Sequence, residues 1–145
     1  MAMKISTKGR YALRVLIDLA EHDSGEYTPL REIASRQGIS EKYLESIIVV
    51  FSKAGIVSGH RGKGGGYKLA KDPDSITVGD VLREVEGDLA PVACLEAGGR
   101  PCERAAECKT LPMWEKFFNM TNEYFDGITV GDLANRGDEG DFYMI

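Results

Sequence analysis

A chain of 145 residues, 43% hydrophobic and 28% charged, is long enough for one domain with its own core and short for two independent ones, and its composition excludes wholesale disorder. The net charge of −5 argues at first sight against a nucleic-acid partner, but residues 1–70 carry 11 Lys/Arg against 7 Asp/Glu while residues 71–145 carry 7 against 16. The opening MAMKISTKGRYALRVLIDLAEH has a short apolar run broken by Arg14 and Asp18, neither a secretory signal nor a membrane span, so a cytoplasmic protein without membrane contact is expected.

Within residues 6–22, Tyr11, Val15 and Leu19 recur four apart beside Ala12, Leu16 and Ala20, which predicts a helix with one broad apolar face capped by Ser6 or Thr7. Thr28 followed by Pro29 marks the next start, with proline at the first helical position, where no amide is needed. Ile33 and Ala34 form the inward face of that short helix, Gly38 can close it in the left-handed conformation, and Ser40 can cap its successor. Leu44, Ile47, Ile48 and Phe51 then repeat at helical spacing until Gly55. Two short helices joined by a tight glycine turn make a helix-turn-helix candidate, although an ordinary helical hairpin has the same pattern.

IVSGHR and YKLA, flanking GKGGG, read as a β-hairpin directly after the second of these helices, in the place of a wing. A phosphate-binding loop would need a helix after its glycines, and here a strand follows. The stretch from Ser52 to Lys71 holds five Lys/Arg and no acid, which suits either an anionic partner or a solvated surface. In SITVGDVLREVEG, Thr77 and Asp80 offer a capping box, with Val81, Leu82 and Val85 inward. The string ITVGD returns at Ile128–Asp132 and predicts a second, similarly capped helix.

Between those copies lie all three cysteines, Cys94, Cys102 and Cys108, in CLEAGGRPCERAAEC. Their odd number and a reducing compartment disfavour a disulfide framework, and the absence of a CxxC knuckle disfavours a zinc ribbon. A metal centre and redox thiols remain open. From Pro112 to Phe125, Trp114, Phe117, Phe118, Thr121 and Phe125 are expected to line one face of a long helix, more aromatic surface than a small domain readily covers, so burial against a second subunit is expected; packing back on the chain's own core is the alternative. The final NRGDEGDFYMI reads as a flexible acidic tail.

In this order KISTKGRYALRVLIDLA, ISEKYLESI, RGKGGGYKLAKDPDSITVGDV and three spaced cysteines before an aromatic helix, the chain resembles the Rrf-type bacterial transcription regulators, especially their IscR-like iron-sulfur members, over roughly residues 3–135. The resemblance implies a mainly α fold with a small β-hairpin: a winged helix-turn-helix domain over residues 1–87, a cysteine loop over 88–110, a long C-terminal dimerisation helix and a short following helix over 111–135, and a tail over 136–145. It further implies a homodimer on double-stranded operator DNA that senses iron-sulfur status, oxygen or nitric oxide and controls iron-sulfur cluster assembly genes. Ser40, Lys42, Tyr43 and Glu45 would face base edges, the Glu45 carboxylate being tolerated only where a cytosine amino group can donate to it. Arg61 would enter the minor groove, with Lys63 and Lys68 on backbone phosphates and Lys8 and Arg10 as weaker phosphate ligands.

Cys94, Cys102 and Cys108 would hold an iron-sulfur cluster, of the 2Fe-2S type by resemblance. The chain departs from its relatives at the fourth ligand: the IscR-like histidine three residues past the last cysteine is replaced by Leu111, and the aspartate of the nitric-oxide sensors falls near Arg10. His22 and His60 are expected on other segments, whereas Glu96, Glu103 and Glu107 lie within the loop and could supply oxygen. The competing expectation is a cluster-free regulator controlled by a protein partner or by thiol oxidation. An enzyme is not expected, since no general acid-base pair, nucleophile with a histidine or nucleotide loop is present.

Overall fold

The computed structural model describes residues 5–96 and 103–135. The acidic tail and Cys102 lie outside the described residues. In chain order the helices are α1 (Thr7–Glu21), α2 (Leu30–Gln37), α3 (Glu41–Lys53), α4 (Val78–Glu86), α5 (Leu111–Asp126) and α6 (Val130–Ala134), with strands β1 (Val57–His60) and β2 (Gly66–Leu69) between α3 and α4. The described chain is therefore mainly helical with one two-stranded antiparallel sheet.

Local chemistry accounts for most boundaries. The Ser6 hydroxyl accepts the Gly9 amide at the start of α1, and the Ser40 hydroxyl accepts the Tyr43 amide at the start of α3. Gly38 closes α2 at φ 66°, ψ 35°, a conformation that favours glycine, and the chain turns into α3 within three residues. Pro29 differs from expectation by one position. Its φ of −59° suits a helix, but its ψ of 142° is extended, because Thr28 is tied to Tyr67 by a two-way backbone bridge; the helix begins at Leu30.

The core joins α1, α2, α3 and α4. Ala12, Val15 and Leu16 meet Ile33, Leu44, Ile47, Phe51 and Val81, all fully buried. Tertiary packing of these apolar faces, rather than helix propensity, holds such short helices. The hairpin follows α3 directly, pairing Val57 with Leu69 and His60 with Gly66. The two ITVGD segments meet each other: Thr77 and Thr129 form an antiparallel bridge, the Val78 amide donates to Ile128 and the Val130 amide to Ile76, and each threonine heads a complete capping box. This pairing returns α6 to α1 and buries Val130.

Helix α5 has no fully buried residue. It leans on α4 through Arg83, whose guanidinium donates to both Asp126 carboxylate oxygens at 2.7 Å and to Asn122 at 3.2 Å. Trp114, Phe118, Thr121 and Phe125 are half-buried on one side. Phe117 lies instead with Met113, Met120 and Tyr124, and these four are 39–56% exposed. Their spacing of four, three and four residues makes a continuous apolar stripe.

Candidate nucleic-acid interface and cysteine loop

The first turn of α3 leaves Lys42 and Glu45 exposed and Tyr43 half-buried. The Tyr43 ring stands edge-on to Tyr11 at 6.0 Å, and the Arg14 guanidinium covers the other ring at 4.5 Å. Arg14 donates in turn to the Gln37 side chain and to the Gln37 carbonyl, both at 3.0 Å. A strut from α1 thus supports the start of α3 from behind. In the sequence Tyr11 reads only as part of an apolar face and Arg14 only as a break in it, and nothing there signals that the two join Tyr43 and Gln37.

Next to this strut sits Asp18, 2% exposed although charged. Arg36 donates to both of its oxygens, at 2.6 to 3.2 Å, and Gln37 adds a bond at 2.8 Å. Burial alone would push this carboxyl up; the bonds from Arg36 and Gln37, with the charges of Arg36 and His22, outweigh it and hold the group below the ordinary aspartate range. The turn between α2 and α3 is therefore fastened to α1 by a fully satisfied polar knot.

On the wing, Arg61 and Lys63 are exposed just beyond β1. Lys68, on β2, places its Nζ 4.6 Å from the centre of the Tyr27 ring. On α1, Lys8 is half-buried and Arg10 exposed, the latter donating to the Thr7 hydroxyl at 3.3 Å. The expected DNA-facing residues thus come from three elements, α1, α3 and the hairpin.

The cysteine loop is less regular. Cys94 sits in a single 3-10 turn, Ala93–Leu95, and Cys108 lies three residues before α5; both are half-buried thiols outside any disulfide. The Cys108 sulfur lies 3.4 Å from the Thr110 hydroxyl. That hydroxyl and the Thr110 and Leu111 amides draw the thiol below its ordinary range, against a smaller opposing effect of burial. Glu96, Glu103 and Glu107 are exposed. Among the described residues no three His, Cys, Asp or Glu side chains gather into a metal-binding group, and Cys102 is not among them. His22 lies at the end of α1 beside Asp18, and His60 lies on the wing, so both belong to segments other than the cysteine loop.

A family model described as Rrf2, iron-dependent transcriptional regulator, matches residues 5–136. The HTH-type transcriptional regulator IscR of Aliivibrio salmonicida is 38% identical over 131 residues, covering 90% of this chain and 77% of that protein. Among solved structures, CymR (YrzC), the global cysteine regulator of B. subtilis, aligns with a TM-score of 0.75 and 40% identity over 91% of this chain and 96% of its own. IscR of T. potens aligns with a TM-score of 0.74 and 37% identity over 96% and 91%.

Proposed function

The chain belongs to the Rrf2 family of transcriptional regulators and is not an enzyme, and from that premise we propose that it binds operator DNA as a homodimer and reports iron-sulfur status through its cysteine loop. The observation that carries the DNA reading is the combination of a capped, strut-supported α3 with an acid-free basic hairpin immediately after it. Ser40, Lys42, Tyr43 and Glu45 meet base edges, Arg61 enters the minor groove, and Lys63, Lys68, Lys8 and Arg10 address phosphates. Affinity then comes chiefly from the cations and sequence preference from α3. Glu45 acts by rejection as much as by choice, because a carboxylate without a cytosine amino donor is repelled by the phosphate backbone.

The two subunits associate through α5, whose half-buried aromatic face of Trp114, Phe118, Thr121 and Phe125, with Phe117 at its edge, exceeds what one small domain covers. The domain division follows the same reading: a reading head to residue 87, the cysteine loop to 110, the dimer helix and α6 to 135.

For the iron-sulfur cluster the donor chemistry fits. Cys94 and Cys108 are unpaired thiols, and Cys108 is drawn toward the thiolate that ligation requires. With Cys102 they would supply three ligands; Leu111 stands where the family resemblance implies a fourth, and Glu96, Glu103 and Glu107 are the nearest carboxylates in sequence. When bound, a cluster would supply a redox- and iron-sensitive link across the loop. The loop runs from the end of α4 to the start of α5, so its order bears on how the reading heads sit against the dimer helix. Protein isolated without oxygen should show iron and sulfide with visible absorption that Cys94→Ala, Cys102→Ala and Cys108→Ala each reduce, and its holo and apo forms should differ in operator affinity. Equal affinity of the two forms for every operator would refute sensing.

A second reading is favoured by the Cys108 thiol, half-buried, free and drawn below its ordinary range by the Thr110 hydroxyl 3.4 Å away: a cluster-free regulator switched by thiol oxidation. Absence of iron after anaerobic reconstitution, with operator affinity that changes on mild oxidation, would select it.

A further inference from the structure

The hairpin is anchored to more than α3. Thr28 and Tyr67 exchange both backbone hydrogen bonds, at 2.9 and 2.8 Å, so the segment leading into α2 lies along β2 as a one-residue third edge. Gly66 permits this approach, since a Cβ there would overlap the Thr28 carbonyl. Side chains alternate along paired strands, and the register of His60 with Gly66 and Ser58 with Lys68 puts His60 and Lys68 on one face. Tyr27, one residue before the bridge, projects to that same face. Its ring stacks on His60 at 5.2 Å with 28° between planes, and Lys68 places its Nζ 4.6 Å from the ring centre. One half-buried tyrosine thus touches both strands of the wing, and His60 is the residue immediately before Arg61.

We infer that Tyr27 is a positioning residue for the wing: its ring fixes the angle of the hairpin to the α2–α3 pair, so that Arg61 reaches the minor groove in phase with α3 in the major groove. The inference rests on the operator-binding reading above. Without the ring the hairpin keeps its backbone bridge but can rock about it, and Arg61 meets DNA only in a fraction of orientations. Lys68 serves this arrangement through the ring face, in addition to any phosphate it meets.

A double-mutant cycle on operator affinity tests it, using Tyr27→Leu, which retains apolar bulk for folding, and Arg61→Ala. Tyr27→Leu alone should weaken operator binding roughly fivefold to twentyfold, the scale of one lost ring stack plus one cation-ring contact, with the thermal midpoint followed on the same samples. In the Arg61→Ala background the same change should cost less than about twofold, because a wing without its arginine has nothing left to aim. Tyr27→Phe, which keeps the ring, should restore wild-type affinity. If Arg61→Ala weakens binding while Tyr27→Leu does nothing, or if the two losses simply add, Tyr27 has no positioning role and the operator reading stands. If Arg61→Ala itself leaves operator affinity unchanged, the wing reading fails first and the role of Tyr27 falls with it.

Discussion

At the residue scale, the buried Asp18 carboxylate is the position where one atom's environment decides most. Its hydrogen bonds to Arg36 and Gln37 stabilise the ionised form, so the folded-state value is depressed relative to the unfolded chain. The corresponding stability is present in full above the ordinary aspartate range and is lost as pH falls below about 4. Urea unfolding at pH 5 and pH 3 should show a loss that is smaller in Asp18→Asn, which has no carboxyl to protonate. Arg36→Ala leaves a buried charge with its principal partner gone and should cost about 2–4 kcal/mol at neutral pH; a cost within 0.5 kcal/mol, read as about that much change in extrapolated unfolding free energy, would mean that water replaces the guanidinium. Cys108 is the second such residue. In a background with Cys94→Ala and Cys102→Ala, its alkylation rate against pH should have its midpoint below that of an ordinary thiol, and Thr110→Val should move the midpoint upward by removing the hydroxyl partner.

At the element scale, α5 and α6 behave differently for reasons of packing. The five-residue α6 is too short to persist by itself, and it is held by a reciprocal cap at Thr129 and by the bridge to Thr77. Thr129→Ala should destabilise the protein by about 1 kcal/mol, measured by thermal or urea unfolding, since it leaves the Asp132 amide without its acceptor. Helix α5 carries two apolar sides. One is half-covered by its own chain, and the stripe of Met113, Phe117, Met120 and Tyr124 is open. A dimer through α5 predicts that Met120→Glu, a charge set into the exposed stripe next to the aromatic face, shifts sedimentation toward monomer; a variant that sediments unchanged would place the subunit contact elsewhere.

At the scale of the whole molecule, the charge distribution reconciles an acidic protein with DNA. The cations concentrate in residues 1–70, on the same portion that holds α3 and the wing, and the acids in the remainder. Operator affinity should therefore fall steeply with salt despite the net charge of −5. Lys63→Ala should reduce the slope of log affinity against log salt by about one if Lys63 meets a phosphate. An unchanged slope would show that this lysine is a solvated surface group.

Features that depend on neighbours along the chain are legible without a fold. Ser6, Ser40, Thr77 and Thr129 mark helix starts because a capping hydroxyl reaches an amide only three residues away, and Gly38 marks a stop because its backbone takes a conformation other residues avoid. The hairpin was legible from its glycines, and the core of α3 from its spacing. Tertiary structure alone decided what depends on residues far apart: that the two ITVGD copies pair with each other, that Asp18, readable only as a break in an apolar run, is neutralised from α2, that α5 presents two sides with Phe117 on the open one, and that Tyr27 lies across the wing. Such contacts follow from the relative placement and register of whole elements, which local propensity does not encode and which burial of the shared core fixes.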